Sequence, residues 1–166
     1  MPGVLYQYLA NDHDNLDDLL QRATEKSGVI DMESYDAFRR GLLRHISLEE
    51  KIVLPAIARW QSRQKAALAD RLHLDHSAIV SLLVPPPTPS IILTLKSVFE
   101  AHNPLEENPG GLYETFETLA GPEAETILEE LKSAPAVPVQ PHNPKPELLE
   151  LAKQALARAG HEFKEA

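Results

Sequence analysis

Apolar side chains recur three and four positions apart along most of this chain, the period of a helix that buries one face, and the alternation expected of strands is rare. The pattern predicts an all-α protein. A first helix is expected from about Val4 to Lys26, with Leu9, His13, Leu16 and Leu20 along one seam and Ser27-Gly28 as its stop. Asp31 can cap a second helix of about 30 residues, whose seam reads Tyr35, Phe38, Leu42, His45, Glu49, Ile52 and Ala56 and which Pro55 should kink. A third, from about Ala66 to Leu83, presents Leu68, Leu72, His76, Ile79 and Leu83 before the prolines at 85, 86, 87 and 89. The fourth should begin near Thr88 or Ser90, show Ile92, Leu95, Phe99, His102 and Glu106 on one face, and break at Asn108-Pro109-Gly110-Gly111. Four helices with short connections favour an up-down-up-down four-helix bundle.

The remainder reads as appendage. Residues 112–132 offer one or two short helices, expected on the outside or end of the bundle. Five prolines in the fourteen residues from Ser133 to Pro146 predict an extended, loosely attached strap, followed by a helix from Glu147 to Ala159 with Leu148, Leu149, Leu151 and Leu156. The chain thus divides into a bundle at 1–132 and an extension at 133–166, the latter a surface for a protein partner or a second copy. No internal repeat is evident.

Composition narrows the chemistry. With no cysteine there is no disulfide, thiolate nucleophile, zinc ribbon or iron–sulfur cluster, so any metal must sit on histidine and carboxylate. A net charge of −9 without a basic patch argues against nucleic acid. No apolar run approaches the roughly 20 residues that span a bilayer, and the start lacks an export signal, so a cytoplasmic location is expected.

The informative feature is polar. Each of the four predicted helices places a histidine where its seam calls for an apolar residue, and two of them add a glutamate four positions later: His45-Ile-Ser-Leu-Glu49 and His102-Asn-Pro-Leu-Glu106. Residues four apart lie one above the other on a helix. A lone histidine on an apolar face is usually a core residue satisfied by one hydrogen bond, but four together with two buried carboxylates call for a cation, because a desolvated carboxylate costs several kcal/mol. Such a histidine-rich set with two glutamates fits a dinuclear iron site best, with zinc as a substitute. His13 and His45 lie equally far from the first turn and should meet. His76 and His102 differ by about one helical turn, which the connection must absorb.

The motifs LANDHDNLDDLL, LLRHISLEEKIVLPAI, LHLDHSAIVSLL and FEAHNPLEEN, in that order, resemble the ligand helices of the hemerythrin-like, or HHE cation-binding, proteins over about residues 5–120. The resemblance implies His13, His45, His76 and His102 as terminal ligands and Glu49 and Glu106 as carboxylates bridging two non-haem irons. The leading function is then a small di-iron protein that binds dioxygen or another diatomic ligand, or answers to redox state or iron supply. Hemerythrins proper carry a further third-helix histidine where this chain has Leu72; His73 is its neighbour and a candidate substitute. Loss of that ligand opens a coordination position and argues against simple reversible oxygen carriage. Pro104 is expected to kink the fourth helix and could displace Glu106 in favour of Glu107. An oxygen- or peroxide-consuming di-iron oxidase is the rival function, and a zinc-bearing or metal-free interaction bundle the third.

Around these, Glu50 and Glu107 read as solvated or as hydrogen-bond partners of ligand imidazoles, and Asp12, Asp14, Asp17 and Asp18 as a solvated face. Tyr6, Tyr8 and Tyr113 could line the pocket, though aromatics at helical spacing are more often packing, and His142 and His161 read as unconnected tail residues. Without metal, burial is expected to raise the pKa of Glu49 and Glu106.

Overall fold

The computed structural model describes residues 2–61 and 66–166, and among these it contains helices and no strand. Helix α1 (Val4–Ala23) ends three residues earlier than its pattern suggests: Thr24 leaves the helical conformation, and Asp31 N–H returns to Ala23 O to close the loop. Gly28 takes φ +75° in that loop, a conformation glycine adopts without steric cost. Asp31 then caps α2 (Met32–Leu48), its carboxylate accepting from Glu33 N–H at 3.1 Å and Ser34 Oγ at 2.9 Å.

The bend expected at Pro55 takes the form of a π-turn over Glu49–Val53, ahead of α3 (Leu54–Trp60). Proline has no N–H for the preceding turn, and the turn widens so that Leu54 N–H bonds Glu49 O, five residues back. Helix α4 (Ala66–Leu82) leads through the proline run to α5 (Pro89–Glu107), which Thr88 caps by accepting from Ile91 N–H. Pro104 does not displace the last turn: α5 continues through it to Glu107.

Two apolar clusters form the core. One gathers Leu16, Leu20, Phe38, Leu42, Ile79, Leu82, Ile92 and Leu95; the other gathers Leu5, Leu9, Leu48, Val53, Leu72 and residues of α6 (Leu112–Ala120) and α7 (Ala124–Ser133). On α1, α2 and α4 the switch from one cluster to the other falls at His13, at His45 and Glu49, and at His76. The seam is therefore leucine-rich at both ends and polar in the middle. Each fully buried leucine or phenylalanine contributes about 1.5–3 kcal/mol, so the two clusters hold the helices while the middle carries chemistry.

The C-terminal extension is not loosely attached. Ala152, Ala155 and Leu156 of α8 (Pro146–Arg158), with Ala159, belong to the first cluster, and α8 packs along α4. Asn143 N–H donates to Val84 O, His142 bonds Asp36 at 2.8 Å, and Lys164 N–H donates to Thr94 Oγ1 at 2.8 Å. Short apolar side chains on α8 allow close approach to α4, a signal that the leucine pattern alone obscures. Helix α6 packs in the second cluster, at one end of the seam, against α1, α3 and α5, and Tyr113 and Phe116 are fully buried.

Candidate metal centre

Six of the seven expected residues converge. His13, His45, Glu49 and Glu106 each offer a ligating atom within 4.8 Å of the others, and so do Glu49, His76, His102 and Glu106; the two groups share both glutamates. His13 and His45 meet with ring centroids 4.7 Å apart, and His76 and His102 at 5.0 Å, so the connection between α4 and α5 absorbs the offset of one turn. Glu106 is where α5 should put it, its Oε1 3.2 Å from His102 Nε2 and 3.3 Å from His13 Nε2. His73 is not brought in: its side chain is half exposed and pairs with Glu50 at 2.6 Å.

Each of the four converging histidines has a carboxylate behind it. His45 Nδ1 donates to Asp12 at 3.0 Å, His102 Nδ1 to Asp75 at 2.9 Å and His76 Nδ1 to Glu50 at 2.6 Å, while Glu107 stands 3.4 Å from His13 Nδ1. A carboxylate on Nδ1 fixes the proton there and aims the Nε2 lone pair at the centre, the arrangement that orients metal-bound imidazole. Asp12 is thus a partner of His45 and not part of a solvated face, and His161 is not unconnected, since its Nε2 lies 2.8 Å from Asp75 Oδ1. Sequence reasoning does not single out Asp75. Its signal is the Asp-His dipeptide common to the first and third motifs: consecutive helical residues point about 100° apart, so the aspartate faces the histidine of the neighbouring helix.

The donor set fits a cation. Glu49 Oε2, Glu106 Oε2 and His76 Nε2 are buried without any hydrogen-bond partner. Two buried carboxylate oxygens only 3.4 and 3.8 Å from His76 Nε2 would be costly in a protein interior unless a positive charge sits among them.

In the metal-free protein, protons take that role. Burial is the largest influence on His13 and opposes its charge, yet Glu106, Glu107 and Glu49 together outweigh it and push the pKa up to about 10. The same competition lifts His76 to about 12 and His102 to about 9, and raises His45. Glu106 moves opposite to the expectation for a buried acid. Desolvation pulls it up, but His102, Glu49 and His13 hold it well below the usual carboxylate range. The neighbours matter more than the apolar seam.

A cavity of about 210 Å³ adjoins the centre, lined by His13, His45, His76 and His102 and by Leu16, Leu20, Phe38, Leu42, Ile79 and Phe99. Tyr113 closes the opposite side, with its hydroxyl 3.0 Å from both His13 Nε2 and His45 Nε2.

The family model of the hemerythrin HHE cation binding domain matches residues 4–84. Over that stretch the chain is similar to the hemerythrin HHE cation-binding family, and the match takes in His13, His45, Glu49 and His76. His102 and Glu106 lie beyond it and are joined to the other four by the fold. Neither a curated protein nor a solved structure matches the chain. Among the described residues, no helix is long and apolar enough to cross a membrane.

Proposed function

We propose that this protein is a non-haem di-iron protein that binds or senses dioxygen or another diatomic ligand. The observation that carries the reading is the sharing of Glu49 and Glu106 between two four-residue groups, since six side chains arranged in this way suit two ions bridged by carboxylates better than one. An up-down-up-down order of α1, α2, α4 and α5 around the centre is part of the same reading, supported by the close packing of α1 on α2 and of α4 on α5.

His13 and His45 would hold one ion, His76 and His102 the other, with Glu49 and Glu106 between them. Bound iron supplies the electrons that a diatomic ligand takes up. The chain supplies the rest: Asp12, Glu50 and Asp75 hold three imidazoles in line, and Leu16, Leu42 and Ile79 give the approach one apolar wall, with Asp14, Asp17 and Asn103 also lining it. Four protein ligands per ion fall short of the about six that an octahedral ion takes, which leaves room for a small ligand.

The cavity favours one alternative. At about 210 Å³ it exceeds the roughly 30 Å³ that a water-sized molecule occupies, so it would also admit an organic substrate, as a di-iron oxidase requires. Elemental analysis of protein made in iron-rich medium should give close to two irons per chain, with a visible band that appears on aeration and fades on removal of oxygen. Net consumption of oxygen or peroxide would favour the oxidase. A steady one zinc per chain would overturn the di-iron reading.

A further inference from the structure

We infer that the Tyr113 oxygen is a fifth protein ligand to the ion held by His13 and His45, which leaves that half of the centre less open to a small ligand than the His76–His102 half. The inference rests on the two-ion reading above.

The Tyr113 oxygen faces four atoms at once: His13 Nε2 and His45 Nε2 at 3.0 Å, Glu49 Oε1 at 3.2 Å and Glu106 Oε1 at 3.4 Å. These are the four members of one metal-binding group. A phenol has one proton to donate. Ionised carboxylate oxygens only accept, so one O–H cannot serve Glu49 and Glu106 together, and a cation among the four atoms would resolve that competition. The distances suit such a cation, since ligands of one octahedral ion with bonds of roughly 2.1 Å stand about 3.0 Å apart when adjacent.

The backbone brings this oxygen to the centre through a tight turn. Tyr113 is fully buried in the first turn of α6, which Gly111 precedes, and there a Cβ would meet Leu105 O and Asn108 O at 2.8 Å and Glu106 O at 2.9 Å. Only glycine lets α6 fold back this tightly under the end of α5, beside Glu106. Among the described residues the other half has no counterpart: His76 Nε2 has no hydrogen-bond partner, its neighbours at the centre including Glu49 Oε2 at 3.4 Å and Glu106 Oε2 at 3.8 Å, and the residue one turn before it is the fully buried Leu72. On coordination the phenol O–H bond breaks, its proton leaves to solvent, and an oxygen lone pair forms the bond to the ion. No electron is transferred.

The test is the ferric protein with two irons per chain. It should show a visible tyrosinate-to-iron charge-transfer band, with resonance-Raman ring modes that shift when the protein is made with ring-deuterated tyrosine. Tyr113→Phe should lose the band and keep its iron, and Tyr6→Phe should keep both. Should Tyr113→Phe not fold, Tyr6→Phe, Tyr8→Phe and Tyr35→Phe assign the band by elimination, since the chain has four tyrosines. Two bound irons without tyrosinate modes, a band that survives Tyr113→Phe, or a band that vanishes with another tyrosine would each overturn the assignment and leave the di-iron reading standing. Failure to bind an iron pair would overturn both.

Discussion

The two halves of the centre are written in the same order and anchored differently. Asp12-His13 on α1 is followed by His45 and Glu49-Glu50 on α2 and the turn after it; Asp75-His76 on α4 is followed by His102 and Glu106-Glu107 on α5. In each half the aspartate holds the histidine of the next helix, and the second glutamate reaches across to the other half, Glu50 to His76 and Glu107 to His13. The correspondence is carried by the histidines, glutamates and their supports and not by overall similarity. The difference lies in depth. Asp12 sits at the rim with 30% of its side chain exposed, whereas Asp75 is completely buried and serves His102, His161 and Arg71 together. The α4–α5 half is supported by the C-terminal extension, and the α1–α2 half by α6.

The shared glutamates give the strongest way to break the comparison. Glu106→Ala should remove both ions, because it serves both halves, whereas His45→Ala or His102→Ala should remove about one each and keep the helical spectrum. Iron content and circular dichroism check this. A Glu106→Ala protein that keeps one ion would mean that the halves are independent sites.

Acidity separates metal-free from loaded protein. The raised histidine pKa values stabilise the metal-free fold fully below the unfolded value of 6.5, and that contribution is lost as pH rises through about 9 to about 12. The depressed Glu106 contributes above its ordinary 4.5 and is lost as pH falls below it. Metal-free protein should therefore melt highest between those two reference values and fall on the alkaline side. Loaded protein should weaken on acidification, as protons compete for the ligands. Melting with and without chelator should show a gap that widens from about pH 6 to about pH 9; parallel curves would contradict the imidazolium–carboxylate pairing.

The smallest effects sharpen the comparison. Removing a carboxylate behind a metal-bound histidine typically costs about 10–100-fold in affinity, and Asp75→Asn should lie at the upper end, Asp12→Asn at the lower, where water can replace it. His73→Ala should change metal affinity hardly at all. Competition against a chromogenic chelator ranks them, and equal losses for Asp12→Asn and Asp75→Asn would remove the distinction of depth.

Helix identity and the four inward histidines are legible in the sequence because a histidine in a leucine seam violates the pattern that surrounds it. Pro104 misleads because a proline inside a helix is expected to disturb the residues beyond it, yet α5 runs on to place Glu106. The expectation of raised glutamate pKa values counts the leucines and not the four imidazoles beside them. Tyr113 and His161 are hidden for another reason: an aromatic or a tail histidine looks like packing or solvent until the topology shows its contacts, which span 100 residues from Tyr113 to His13 and 86 from His161 to Asp75.

Such spans also order the assembly in time. The cluster that begins with Leu16 is completed by Ala152, Leu156 and Ala159. Chains emerge from the ribosome N-terminus first and at roughly 5–20 residues per second, so α1, α2, α4 and α5 wait several seconds with an apolar groove where α8 will lie. Contacts so distant along the chain also slow helical folding, which is otherwise fast. The early helices can assemble all four inward histidines before that groove is filled, and Asp75 gains His161 only after it; acquisition of a fully braced centre is therefore among the last events in the making of this molecule.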